Sequence, residues 1–493
     1  MSHDGDLGVA TRPTDSRAAG NLWEPVPFDR SKILRYDRPG PRYTSYPAAP
    51  HFRDDFRGAR YRELLESSAG TGVPLSLYVH IPFCSKRCFF CGCHVKIARD
   101  HTRGKTYLPL IEREMEHAAE ACGAAEREVV QVHWGGGTPT FLPPEDLSAL
   151  AAMSRRHFPL AESCEIGLEV DPRQCTDEHL DALQEAGFNR ISMGVQDLDP
   201  RVQEAMNRIQ PLEMSRSLVE GARRRGMTSV NVDLIYGLPL QTPESFARTL
   251  DQVVEVLDPD RLAIFNFAYL PAMLPHQRVI NPKAVPGPEE KLALLETAVE
   301  KLTEAGYIFI GMDHFAKPED PLSQALKDGS LTRNFQGYST CGATDLLAFG
   351  VSAISQVAGG YAQNEKEIPD YRRRLEGEDG SPEGDANDAA GFATARGLEL
   401  DAEDELRRDV IMTLMCTFRL HKSAIEERHG IDFDAHFGDA LEALAPMADD
   451  GLLEIDADRL EVLPLGRLLI RNLAMTFDAY LPRETRVRYS RTV

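Results

Sequence analysis

Between residues 75 and 270 the apolar positions fall into six short runs rich in β-branched and aromatic residues. They are LSLYVHIP from Leu75, VVQVHWGG from Val129, CEIGLEVD from Cys164, RISMGVQD from Arg190, SVNVDLIYG from Ser229 and RLAIFNFAYL from Arg261. Runs of this length and composition predict strands. After each of the first five comes a segment whose apolar residues recur three or four apart, the spacing of one helix face. These are TYLPLIEREMEHAAEAC, PEDLSALAAMSRRHF, DEHLDALQEAG, MSRSLVEGARRRG and PESFARTLDQVVEVL. Proline opens two of them, in LPPEDL and QTPESF, and Gly187 and Gly226 close two more. Strand and helix units in series predict a parallel sheet, because parallel neighbours need a crossover between them.

The ends of the runs carry the polar residues: CSKRCFFCGC, GGGTPT, Glu169 with Asp171, Gln196 with Asp197, and Asp233. On parallel strands these groups share one rim, where α/β barrels carry their sites. Farther on, GEDGSPEGDANDAAG at 377–391 has no periodicity and reads as a flexible insertion. Beyond it lie helices over RDVIMTLMCTF, SAIEERHG and ALEALAPMADDG, a hairpin over LLEIDADRLEVLP turning at Asp456 to Asp458, and a last helix over GRLLIRNLAMTFDAYL. Three helices and a hairpin suggest a winged-helix shape, often used on DNA. From Asp401 onward, however, 12 Lys and Arg face 19 Asp and Glu, so a packing or lid role is expected. The expected division is a disordered tail (1–22), an N-terminal arm (23–70), a barrel (71–316), a barrel extension (317–375), an acidic insertion (376–400) and a helical C-terminal domain (401–493).

Composition adds exclusions. The 493 residues carry a net charge of −22, which repels nucleic acid and anionic lipid. The first twenty residues lack the apolar run of a secretory signal. The longest uncharged stretch, 346–364, is too rich in Ser, Gln, Gly and Asn to span a bilayer and reads as buried or ligand-lining segments. Of nine cysteines, four (Cys84, Cys88, Cys91, Cys93) lie within ten residues and five are scattered. An odd total with one tight cluster fits a metal site in a reducing cytosol better than a disulfide framework.

Cys84-x3-Cys88-x2-Cys91 follows directly on the first strand. Structural zinc wants four ligands, and the next cysteine beyond the cluster, Cys122, sits on a predicted helix. A [4Fe–4S] cluster held by three thiolates keeps one iron free for a small molecule, and on spacing it is the better fit. The loop resembles the CxxxCxxC loop of the radical S-adenosylmethionine (SAM) superfamily, and GGGTP at 135–139, on the next strand, matches as well. YVHIPFC, EVDP, GVQD, NVDLIYGLPLQTPESF, FNFAYLP, GMDHFA, NFQGY, GVSAISQ and YAQN extend the resemblance to the oxygen-independent coproporphyrinogen III oxidase family. GPRYTSYP at 40–47 and GRLLIRN near the C-terminal end carry it over nearly the whole chain. A related group of haem chaperones shares the cluster loop and GGGTP but typically lacks GPRYTSYP and the extra cysteine, here Cys93.

The resemblance implies a partial (β/α)6 barrel with an N-terminal arm and a winged-helix-like C-terminal domain. It implies a [4Fe–4S] cluster on Cys84, Cys88 and Cys91 and two SAM molecules. Tyr78, Gly136, Glu169, Ala268 and Ile354 match positions around the SAM on the cluster. Phe90, Gly137, Thr138, Gln196, Arg208 and Asp233 match positions around the second. Cys93 and Tyr78 are the catalytic candidates. The implied reaction turns two propionates of coproporphyrinogen III into vinyl groups with loss of CO2, and a flavodoxin- or ferredoxin-like protein supplies electrons. A tetracarboxylate in so acidic a chain needs local cations. Arg42 in GPRYTSYP is the first candidate and Arg333 in TRNFQGY the second. No nucleic acid and no membrane span are expected, and the chain is expected to be a cytoplasmic monomer. The alternative is a SAM-binding haem chaperone without decarboxylase activity.

Overall fold

In the computed structural model the described residues are 25–377, 391–481, 489, 491 and 492. The expected tail over 1–22 lies outside them. The six apolar runs all form strands: β1 (Leu75–Ile81), β2 (Val129–Gly136), β3 (Leu160–Val170), β4 (Arg190–Gln196), β5 (Ser229–Tyr236) and β6 (Arg261–Asn266). They pair in sequence order, all parallel. Beyond β6 lie β7 (Ile308–Gly311) and β8 (His314–Ala316). Beyond β1 lie β9 (Asp345–Phe349), β10 (Ile354–Val357), β11 (Gly360–Asn364) and β12 (Thr394–Glu399). The order is β12-β11-β10-β9-β1-β2-β3-β4-β5-β6-β8-β7, and the two edges do not pair, so the barrel is partial. β9 joins β1 in parallel, making seven parallel strands where the sequence predicts six.

Alternation along each strand decides which side holds the core. In β4, Ile191, Met193 and Val195 are buried while Arg190, Ser192, Gly194 and Gln196 are only partly so. The buried set joins Leu77, Val79, Leu168 and Val232 in one apolar layer with Ile111, Leu150, Leu183 and Phe246 of the helices. The other face, the lumen, is therefore polar. Glu169, Ser192 and Asn231 stand in register across it, as do Gly194, Asp233 and Ala263.

The uncharged stretch 346–364 is the β9–β11 meander, buried as expected. The acidic insertion needs a correction: residues 378–390 lie outside the described residues, but Thr394–Glu399 is an ordered edge strand on β11. Composition misleads there, because the acidic bias ends at Gly391 and the following Phe392, Ala393, Thr394 and Gly397 are buried. The last helix is also corrected. It is three pieces, Pro464–Leu468, Ile470–Ala474 and a 3-10 turn Met475–Phe477. The break falls at Leu469 (φ −109°, ψ 18°), between buried Arg467 and Arg471. Arg471 donates to the carbonyls of Gly40 and Pro41 in the arm. Tertiary contact here overrides a good helical period.

The helices Ala402–Thr417, Lys422–His429 and Gly438–Asp449 precede the expected hairpin, Leu453–Ile455 with Arg459–Val462, to which Arg419–His421 adds a third strand. Ile33, Tyr43 and Tyr46 of the arm share a second core with Val410, Ile411 and Leu414. No helix among the described residues is long and apolar enough to cross a membrane.

Candidate active site

The cysteine loop leaves the C-terminal end of β1 and is closed where Phe83–Cys84 pairs with Lys96–Ile97. Within it the Cys91 N–H donates to the Cys88 carbonyl (3.2 Å), and Cys84 Sγ lies 3.3 Å from Thr138 Oγ1. Cys88 is buried, and its sulfur accepts from Arg173 Nη2 (3.5 Å) and Arg208 Nη1 (3.6 Å). Both arginines also hold Asp171 Oδ2, at 2.6 and 3.2 Å. Burial pushes the Asp171 carboxyl up, but Arg208 and Arg173 outweigh it and bring it down to about 2. Burial, and then the nearby sulfurs of Cys91 and Cys88, push the Cys84 thiol up to about 11 against its Thr138 hydrogen bond. Cys93 is exposed as a residue while its thiol is hydrogen-bonded to Cys91, which draws Cys91 down to about 7 and holds Cys93 well above the usual range.

All these cysteines are free. Three thiols within electrostatic reach of one another, one with two guanidinium groups on its sulfur, form a donor set suited to an iron–sulfur cluster, because cations and N–H donors beside sulfur favour the thiolate.

The glycines of GGGTP bring two stretches of backbone together. The Gly137 N–H donates to the Ile81 carbonyl (2.8 Å) and the Thr138 N–H to that of Phe83 (2.9 Å). A Cβ at Gly137 would stand 2.7 Å from the Phe83 carbonyl oxygen and 2.8 Å from the Pro82 carbonyl carbon. At Gly136 (φ +109°) it would enter the His80 ring at 2.5 Å. The glycines thus press the loop after β2 onto the root of the cysteine loop.

On the lumen side the Gly136 N–H donates to Glu169 Oε2 (3.0 Å), and His133 Nε2 lies 3.9 Å from Oε1. Burial raises the Glu169 carboxyl, yet His133 and the Gly136 N–H leave it below its ordinary value. Tyr78 stacks on His133 (centroids 6.2 Å apart, 12° between planes), and its Oη contacts His80 Nδ1 at 3.2 Å. Burial holds His80 down to about 4. Asp233 accepts from Asn231 Nδ2 (2.7 Å), and burial followed by the Glu169 charge pushes it up to about 7. Gln196 ends β4 at φ +69°, and Phe90 packs against the Val202, Met206, Ile235 and Phe267 cluster. Ala268 accepts from Gln277 Nε2 through its carbonyl (3.0 Å), and Ile354 pairs with Gln363. Sequence reasoning missed His80, His133 and Arg173. His80 stands inside the YVHIPFC motif, which was a findable signal, whereas Arg173 has none.

Of the two candidates for substrate carboxylates, Arg42 is ion-paired with Asp313 and lies over Phe265 at 5.7 Å. Arg333 is buried over Tyr338 at 4.8 Å and donates at 3.5 Å to the Arg42 carbonyl. Its Nε and Nη1 have no partner among the described residues.

Two sequence families match the chain: the Radical SAM superfamily over residues 78–253 and the HemN C-terminal domain over 400–469. The oxygen-independent coproporphyrinogen III oxidase of Salmonella typhimurium is 46% identical over 469 residues, covering 95% of this chain and 99% of that protein. Its counterpart in Pseudomonas aeruginosa is 45% identical over 474 residues, covering 96% and 100%. The solved coproporphyrinogen III oxidase (HemN) from Escherichia coli, a radical SAM enzyme, superposes with a TM-score of 0.85 at 45% identity, covering 93% of this chain and all of that one. With three free thiols at the end of β1, GGGTP packed beneath them and this likeness over almost its full length, the chain belongs to the oxygen-independent coproporphyrinogen III oxidases of the radical SAM superfamily.

Proposed function

We propose that the chain converts two propionates of coproporphyrinogen III into vinyl groups, giving protoporphyrinogen IX, with SAM and a [4Fe–4S] cluster. The observation that carries the reading is Cys88, a buried thiol bracketed by Arg173 and Arg208 beside two further free thiols. Bound to these thiols, a [4Fe–4S] cluster with SAM would supply the one-electron chemistry needed to take hydrogen from an unactivated carbon.

The chain's own groups bind and orient. Cys84, Cys88 and Cys91 would hold the cluster. Glu169, kept ionised by His133 and the Gly136 N–H, suits the amino group of a SAM beside it, with Tyr78, Ala268 and Ile354 completing the surround. A second SAM is supported mainly by Gln196 and Asp233, with Phe90 packed nearby. Arg208 already holds Asp171, Cys88 and the Gly194 carbonyl, and the Gly137 and Thr138 N–H groups already have backbone partners. Cys93 is the thiol left over beside the ligands, and we assign it a hydrogen-transfer role together with Tyr78. Arg333 is the favoured carboxylate partner and Arg42 the second. We place the protein in the cytoplasm as a monomer, where nine free cysteines stay reduced.

Anaerobic turnover with product identification tests the reading: reconstituted protein with SAM and dithionite should release protoporphyrinogen IX. Haem binding without turnover would support the chaperone instead. Equilibrium binding should find two SAM per chain, falling toward one in Asp233→Ala. One SAM in the unmutated protein would remove the second site.

A further inference from the structure

Leu262 and Ile264 of β6 belong to the core layer, so Phe265 between and beyond them faces the lumen. Arg42 lies over its ring at 5.7 Å, and Arg333 lies over the ring of Tyr338 at 4.8 Å. His314 of β8 stands between the two rings, edge-on to Phe265 (centroids 6.2 Å apart, 88°) and to Tyr338 (5.4 Å, 90°). Packing thus sets how far apart the two guanidinium groups are held.

A third cation, buried Arg471, is within electrostatic reach of both. Its nitrogens go to the backbone carbonyls of Gly40, Pro41, Arg491 and Thr492, which cancel no charge. Burial, and then repulsion from Arg42, bring it down to about 10. Among the described residues Asp313 is the one carboxylate paired with any of the three arginines, and Nε and Nη1 of Arg333 have no partner. His314 adds no charge, because burial and then Arg333 hold it down to about 3. The group is therefore short of anions, in a chain of net charge −22. A ligand with more than one carboxylate would complete it. From this group an apolar surface leads to the cysteine loop: Phe265 and Phe90 both pack against the cluster of Val202, Met206, Ile235 and Phe267.

Coproporphyrinogen III carries four propionates, two lost and two kept, and the kept pair flanks one bridging carbon. A propionate carboxylate that is lost departs as neutral CO2. A guanidinium pressed onto it would stabilise a charge that the transition state gives up, which slows the step. On a kept carboxylate the same contact holds substrate and transition state alike. We propose that Arg42, Arg333 and Arg471 hold the two propionates that survive the reaction, with the macrocycle laid along the apolar surface and the departing pair turned toward the cysteine loop. The proposal rests on the reading of coproporphyrinogen III as the substrate.

The test measures anaerobic equilibrium binding to reconstituted holoenzyme, without SAM so that nothing turns over, with coproporphyrinogen III and protoporphyrinogen IX as probes. The second probe keeps only the surviving propionates. Arg333→Met should therefore weaken both ligands roughly tenfold or more, and by the same factor. Asp313→Asn removes the acid of the group and should tighten both severalfold. A loss confined to coproporphyrinogen III would put the arginines on the departing pair and overturn the assignment. Unchanged affinity for both probes in Arg333→Met, or weaker binding in Asp313→Asn, overturns it as well. Coproporphyrinogen I, whose propionates alternate evenly with methyl groups, offers no such neighbouring pair. It should bind the unmutated holoenzyme roughly tenfold more weakly than isomer III, a gap that closes in Arg333→Met. Equal affinity for the two isomers in the unmutated protein would again overturn the assignment. Failure of the unmutated holoenzyme to bind coproporphyrinogen III would instead defeat the reading of the substrate beneath it.

Discussion

At the scale of single residues, the four clustered cysteines divide by what each sulfur touches. Cys84, Cys88 and Cys91 each supply one of three thiolates, so serine at any of them should leave the protein without the iron–sulfur absorption band. Cys93 gives its hydrogen bond to Cys91. Cys93→Ser should therefore keep the band and lose turnover, and a lost band would make it a ligand. Gly137 offers a second check. A Cβ there would stand less than 3 Å from the Pro82–Phe83 backbone, and backbone cannot swing aside as a side chain can. Gly137→Ala should lower iron content severalfold with little change in far-ultraviolet circular dichroism, whereas full iron occupancy would mean the loops slide freely. The cysteine spacing made the ligands legible in the sequence. The Asp171, Arg173 and Arg208 group was legible only in part, because Arg208 reaches Asp171 across 37 residues of chain and no local pattern encodes that meeting.

At the scale of elements, the six strands and five helices of the barrel were readable because each is long enough to show its period and four of the helices carry a start or a stop signal. The β9–β12 edge was not, since its strands are four to six residues long and two of them, β9 and β11, are buried on both faces. Besides the β9–β1 pairing, that edge is tied to the rest by Glu114 on the helix Arg103–Ala121. It is 2% exposed and accepts from the Gly350 N–H (2.9 Å), Asn364 Nδ2 (2.6 Å) and Tyr371 Oη. Burial nonetheless pushes its carboxyl up to about 7 from 4.5. The folded chain therefore keeps a proton that the unfolded chain has lost between about pH 4.5 and 7, and stability falls as pH rises through that window. The full effect is on the order of 3 kcal/mol. Thermal unfolding of the metal-free protein should show the midpoint dropping from pH 5 to pH 7.5, with a flatter slope in Glu114→Gln. Equal slopes in both proteins would place the titrating group elsewhere.

At the scale of the whole molecule, the acidic chain carries a cation, Arg333, deep in its interior. Among the described residues two nitrogens of buried Arg333 have no partner, and Asp313, the acid within its reach, is already paired with Arg42, an arrangement that costs stability unless an anion arrives. Arg333→Met should weaken coproporphyrinogen binding roughly tenfold or more while leaving iron content unchanged and the thermal midpoint equal or higher. Unaltered substrate affinity would leave the buried charge without a use. Arg42→Ala should cost less affinity, since Asp313 already neutralises it. The arm that carries Arg42 is held from the far end of the chain: Arg471 grips the Gly40 and Pro41 carbonyls, Arg491 pairs with Asp37, and the Thr492 N–H donates to the Arg38 carbonyl at 3.0 Å. Those partners are separated by more than 400 residues of synthesis, so the arm leaves the ribosome long before anything exists to hold it. A nascent chain can finish its barrel and still lack a fastened arm; the order of manufacture makes the closing of the arm the final act of folding.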